Sequence, residues 1–153
     1  MTQAPDISDP REQRVQVALT ASWQLGHVVE RLLSYTGPAS LTVSTYSVGE
    51  EFLRRLIRLR QGGLLRRAEL YCDLKAAEKT ASLRLMMRSA YDKVHLCQNH
   101  SKVAVIQGEL PVVVLTSQNQ TRGNRLENYT ILQSRAVAEQ CLASLRALDT
   151  YDL

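Results

Sequence analysis

The chain has 153 residues, 44% hydrophobic and 22% charged, which suits a single globular domain and excludes a disordered or fibrous chain. The formal charge of +4 favours an anionic partner, and nucleic acid fits that bias better than an acidic protein. No run approaches the roughly 18 apolar residues of a membrane span, and no basic region precedes an apolar core at the N-terminus; cytoplasmic residence without stable membrane association is the expectation.

Three cysteines, Cys72, Cys97 and Cys141, are an odd number without zinc-site spacing, and are expected to be buried, reduced thiols. Residues 1–10 are polar, hold two of the four prolines and lack periodicity, so they read as a flexible tail before one domain spanning 11–153.

Taken in order, Arg14 to Ser34 reads as a helix whose apolar positions settle into a 3.6-residue period in the second half, stopped by Thr36-Gly37-Pro38. Leu41 to Tyr46 alternates and is rich in β-branched residues, as a strand is. Ser47-Val48-Gly49-Glu50 has the form of a capping box, which starts a helix near Val48 that Gly62-Gly63 breaks after Gln61. Arg54 and Arg58, four apart with Arg55 beside them, form a basic stripe that could track a phosphate backbone, or simply a solvated helix face.

Arg67 to Leu74 reads as strand. Ala76 to Tyr91 reads as helix, with Leu83, Leu85, Met86 and Met87 inside. Lys93 to Cys97, Val103 to Ile106 and Val112 to Leu115 are three close strands expected to join as hairpins. Asn128 to Leu132 is a last strand, and Ser134 caps a final amphipathic helix through Leu148. Strands separated by helices favour parallel neighbours, so the expected fold is α/β: a mixed, mostly parallel sheet with helices on both faces.

The chemistry concentrates between Asn99 and Ile131. If strand continues back from Val103 to His100, a period of two puts His100 and Lys102 on one face; Ser117 and Asn119 share parity after the next strand. An imidazole, an ammonium, an amide and the Glu127 carboxylate then converge at one end of a sheet. That is the inventory for holding and attacking a phosphodiester.

This order resembles the signature of the phospholipase D superfamily, H-x-K-x4-D-x6-G-S-x-N with a downstream acid. His100-x-Lys102 and Ser117-x-Asn119 are intact. Gln107 stands at the aspartate position, and Thr116 precedes the serine two residues later than the strict spacing. The resemblance implies His100 as nucleophile, Glu127 holding its other nitrogen, and Lys102, Ser117 and Asn119 gripping the phosphoryl oxygens, with Arg122 and Arg125 on a basic rim.

It also implies a homodimer, because the chemistry needs two His-x-Lys motifs and the chain has one. No metal or other cofactor is called for. Small size, positive charge and the missing export signal point to a metal-independent endonuclease acting on DNA, with RNA as the second choice. A catalytically inactive nucleic-acid-binding protein, and a phospholipase or lipid transferase, stay open.

Overall fold

The computed structural model describes residues 4–121 and 123–153. The elements are β1 (Val15–Thr20), α1 (Leu25–Thr36), β2 (Ala39–Thr45), α2 (Glu50–Gln61), β3 (Leu65–Asp73), α3 (Leu74–Lys79), a 3-10 turn (Ala81–Leu83), α4 (Arg84–Ala90), β4 (Lys93–Cys97), β5 (Val103–Gln107), β6 (Val112–Thr116), β7 (Glu127–Gln133), α5 (Arg135–Arg146) and β8 (Tyr151–Asp152). All eight strands form one sheet in the order β1-β7-β6-β5-β2-β3-β4-β8.

Only β2–β3 and β3–β4 pair in parallel, and the other five pairings are antiparallel. The expected mostly parallel sheet is therefore corrected to a mixed, mainly antiparallel one. Crossover helices do give parallel neighbours, but only α2 and the α3–α4 segment connect adjacent strands. After β4 the chain passes through residues 98–102 and pairs β5 against β2, so the expected hairpin between those two strands is absent. The tight turn between β5 and β6 does form one.

The helix expected from Arg14 splits into β1 and α1, because Val15, Val17 and Leu19 alternate rather than following a helical period. β1 lies at the sheet edge, and these three side chains are 65%, 72% and 71% exposed. Their apolar content reads as an inward helix face in the sequence; in the fold it is an open strand face. α1 ends as expected, with Gly37 at φ +74 and its N–H donating to Leu33 O at 2.9 Å.

The segment expected to be a flexible tail is packed from Pro5 onward. Ile7 is 2% exposed in the main core, its carbonyl accepts from the Tyr35 hydroxyl at 2.8 Å, and Ser8 and Gln16 exchange two hydrogen bonds. The helix expected over Ala76 to Tyr91 breaks at Thr80 into α3, the 3-10 turn and α4, and of its four expected core residues only Met87 is fully buried; Leu85 is 79% exposed.

The capping box at Ser47 does not form. α2 starts at Glu50 with Gly49 as N-cap and no side-chain cap, because the backbone here is used elsewhere: Val48 bridges to Gln120 and Gly49 N–H donates to Gln120 O. A Cβ at Gly49 would meet Gln120 O and Thr121 Cα at 3.2 Å, so glycine is what allows this close approach. At the other end of the chain the Ser134 hydroxyl accepts from Val137 N–H at 3.1 Å, and α5 is capped as the sequence predicts.

Helices α1, α2 and α4 cover one face of the sheet, where Leu32, Leu53, Leu56 and Met87 pack on Leu41, Leu70, Ile106, Val114 and Ile131. On the other face α5 alone lies across the sheet, placing Ala138 and Leu142 on Val105 and Val113, and Leu145 beside Tyr71 and Cys97. Helices on both faces were expected, and both faces carry helices, in unequal number. All three cysteines are free, with Cys72 and Cys97 buried and Cys141 half-buried, and burial pushes the Cys72 thiol up to about 12. No helix among the described residues is long and apolar enough to cross a membrane.

Candidate active site

The site lies where β6 ends, β7 begins and the loop before β5 crosses between them. β5 starts at Val103, so His100 and Lys102 belong to that loop and not to a strand extension. They are brought together all the same. Lys102 Nζ donates to His100 O at 2.8 Å and lies 3.5 Å from His100 Nδ1, an electrostatic contact at the edge of hydrogen-bond range. The His100 ring is exposed and rests against the Tyr46 ring, with centroids 5.4 Å apart.

Ser117 and Asn119 flank Gln118, whose side chain points the other way. Gln118 is 4% exposed; its Oε1 accepts from Leu25 N–H at 2.7 Å and from the Tyr129 hydroxyl at 2.5 Å. This inward anchor, shared by the first turn of α1 and by β7, turns its two neighbours outward. Asn119 Oδ1 accepts from Tyr46 N–H at 3.2 Å and Thr45 Oγ1 at 3.3 Å, which leaves the amide NH2 with no partner among the described residues and available as a donor.

Glu127 is placed at the start of β7, with its carboxylate against the Ser117 hydroxyl. The expected contact with His100 is not made within the chain; Glu127 reaches Ser117, and its charge acts on Lys102. Burial lowers the Lys102 ammonium below the ordinary lysine value, and Glu127 pulls in the opposite direction. Replacing Glu127 by Gln removes that upward pull, so the Lys102 midpoint is expected to move to still lower pH. The Lys102 Cε chemical shift followed through alkaline pH checks it, and a midpoint that rises in the variant would contradict the assignment.

Three residues the sequence reading missed hold the loop. Asn99 Nδ2 donates to Ser44 Oγ at 2.7 Å and Tyr71 O at 3.2 Å, its Oδ1 accepts from Ser101 N–H at 2.9 Å, and its own N–H donates to Asp73 Oδ2 at 3.0 Å. The Ser44 and Ser101 hydroxyls are themselves bonded. An Asn whose side chain bonds the backbone two residues on is the signature of a local turn, and that was the legible clue at Asn99. Tyr46 and Asp73 gave none, since they come from just after β2 and from the end of β3, far away in sequence. Asn99→Ala is expected to lower any His100-dependent activity by about tenfold or more while the fold survives, because it removes three anchors from a half-buried side chain; wild-type turnover in that variant would remove Asn99 from the site.

The arginines are dispersed. Arg54 is 61% exposed and spent on Glu50 at 2.6 Å, Arg58 is exposed, and neither has a contact with a residue of the site. Arg55 turns inward to His27 and Glu30, so the three do not form one stripe. Arg125 is exposed without a hydrogen bond among the described residues, and Arg122 lies outside them. His27 and His95 are not at the site: His27 Nε2 faces Arg55 at 2.8 Å, and His95 stacks on Tyr71 and meets Glu69 at 3.2 Å. Among the described residues no group of three or more His, Cys, Asp or Glu could hold a metal ion.

An imidazole and an ammonium in contact, and an amide donor beside them in the fold, lie at the end of three antiparallel strands of this α/β sheet. No family model and no curated protein matches the sequence. Among solved structures the chain is similar to NucT from Helicobacter pylori, at TM-score 0.67 and 14% identity, over 90% of this chain and 98% of that one. It is similar to polyphosphate kinase from Porphyromonas gingivalis (TM-score 0.64, 13% identity, 95% of this chain and 29% of the other). It is also similar to phosphatidylserine synthase from Haemophilus influenzae (0.59, 14%, 91% and 39%). These are phospholipase D-like folds, and the fold of this chain is of that kind.

Proposed function

We propose that the protein is a phosphodiesterase, an endonuclease acting on DNA before RNA, through a phosphohistidine intermediate in a site shared by two copies of the chain. The observation that supports this is the contact of Lys102 with His100, whose ring rests against Tyr46, the residue whose N–H is held by Asn119. The imidazole lone pair of His100 forms a P–N bond as the ester P–O bond breaks. The leaving oxygen takes a proton from a second imidazole, and water then opens the P–N bond. Lys102 and Asn119 donate to the phosphoryl oxygens as their charge grows, and Glu127 holds Ser117 beside them.

The second imidazole has to come from a second copy, since His27 and His95 are committed elsewhere. The exposed row Val15, Val17 and Leu19 supports the docking of one. It runs along β1 to the catalytic edge, where Leu19 pairs with Asn128 and Thr20 with Glu127, and Leu126 adds a further exposed apolar side chain there. An edge strand without lysine, proline or bulge is one that needs a partner. Val17→Arg is expected to give monomers in sedimentation and to lose cleavage with unchanged circular dichroism; a dimeric, active variant would move the interface elsewhere.

Gln107, at the signature aspartate position, does not argue against catalysis. It closes β5 at the end opposite Val103, about 13 Å from the catalytic loop at strand rise. Nucleic acid as substrate is supported by the net charge of +4 and by a similarity to TrmBL2, described as an archaeal chromatin protein with a novel mode of DNA binding, at TM-score 0.58 and 7% identity over 87% of this chain and 51% of that one. Cleavage of plasmid, single-stranded DNA, RNA and phospholipid vesicles, each in excess chelator, tests the reading. Head-group release from vesicles without nucleic-acid cleavage would replace it with a lipid-directed activity.

A further inference from the structure

We infer that the face of the sheet crossed by α5 carries a second anion site, built for a phosphate group and separate from the catalytic edge. α5 crosses that face obliquely and leaves a groove of about 310 Å³ beside its last turn, lined by Ser40 and Thr42 of β2, Arg67 and Glu69 of β3, Gln107 of β5 and Arg146 of α5. Register puts these strand residues side by side, with Ser40 opposite both Arg67 and Gln107, and Thr42 opposite Glu69.

The donors here are unspent. Thr42 is 6% exposed, yet its hydroxyl has no hydrogen-bond partner among the described residues, and the same holds for Ser40 and for the guanidinium of Arg146. The Thr42 hydroxyl oxygen is not sealed in the core, so it is open to a ligand in the groove. Glu69 does not make the groove anionic. One carboxylate oxygen is held by Arg67 at 3.1 Å and the other meets His95 Nε2 at 3.2 Å, with the His95 ring stacked on Tyr71 4.2 Å away.

Arg146 then remains as an uncompensated positive charge over a floor of hydroxyls and an amide. Gln107 adds a neutral amide and no negative charge to the groove. The donors come from three elements, α5, β2 and β5, so an oxyanion in the groove can be met by a guanidinium, hydroxyls and an amide together.

The inference does not rest on the catalytic reading, and one experiment separates the two. Inorganic phosphate is titrated into the isotope-labelled full chain, and backbone amide shifts are followed. Saturable shifts are expected at Thr42, Gln107 and Arg146, independent of any at Lys102 and Ser117, and they persist in Lys102→Ala. Arg146→Ala is expected to weaken them by about tenfold or more, and Thr42→Val, of the same shape, by roughly fivefold. A 5′-mononucleotide that saturates the same amides at lower concentration identifies the ligand as a nucleotide phosphate; equal or weaker binding identifies free phosphate. Shifts confined to the catalytic edge, second-face shifts that survive Arg146→Ala, or acetate binding more tightly than phosphate overturn the inference.

Discussion

His100→Ala is expected to lower phosphodiester cleavage by roughly 10³-fold or more, leaving thermal stability within about 1 °C of the wild type. The two halves of that expectation have separate causes. The ring is exposed and rests against the Tyr46 ring, so its removal opens no cavity in the core. The same ring would supply the atom that bonds to phosphorus, and no neighbouring side chain can substitute: Lys102 is charged, and His27 and His95 lie on other elements with their own partners. Rates on plasmid in excess chelator, with acid-labile and base-stable label trapped on the wild-type chain, measure this. A variant that still cleaves at the wild-type rate would end the phosphohistidine mechanism at His100.

The largest effect on stability is expected at Gln118. Gln118→Leu keeps the volume but strands the buried Leu25 N–H at the first turn of α1, while the Tyr129 hydroxyl loses one of its two acceptors and keeps Trp23 O at 3.2 Å. A buried donor left unpaired costs about 1–3 kcal/mol, which for a chain of this length lowers Tm by roughly 2–12 °C. Unchanged melting in Gln118→Leu would mean that this side chain does not join α1 to the catalytic turn. Activity should fall in the same variant, since Gln118 is what turns Ser117 and Asn119 outward.

Much of the site was legible because its residues are close in sequence. His100, Lys102, Ser117, Asn119 and Glu127 fall within 28 positions, and antiparallel pairing of Val103 with Leu115 and of Thr116 with Tyr129 brings the loop before β5, the turn after β6 and the start of β7 to one edge. The individual bonds were less legible. Glu127 meets Ser117 and not His100, and whether a carboxylate reaches one neighbour or another is a matter of a few ångströms that strand parity does not resolve. Asn99 gave a local turn signal, but that it is clamped by Ser44, Tyr71 and Asp73 depends on where β2 and β3 lie.

The misreadings have a common form. Val15, Val17 and Leu19 look like core, and Ile7 looks like tail, because composition reports how apolar a segment is and not what covers it. The arginines of α2 look like one basic stripe, yet the residues that answer them, Glu30 with His27 for Arg55 and Asp92 for Arg60, come from α1 and from the start of β4.

By itself the sequence determined the existence of most elements, the polarity of α1, α2 and α5, and the hairpin between β5 and β6. These follow from local periodicity and turn chemistry, which act within a few residues. The tertiary structure decided the strand order, the antiparallel character of most pairings and the insertion of β5 beside β2. Those depend on long-range hydrogen bonding and on which apolar faces bury one another, and no short window of sequence carries that information.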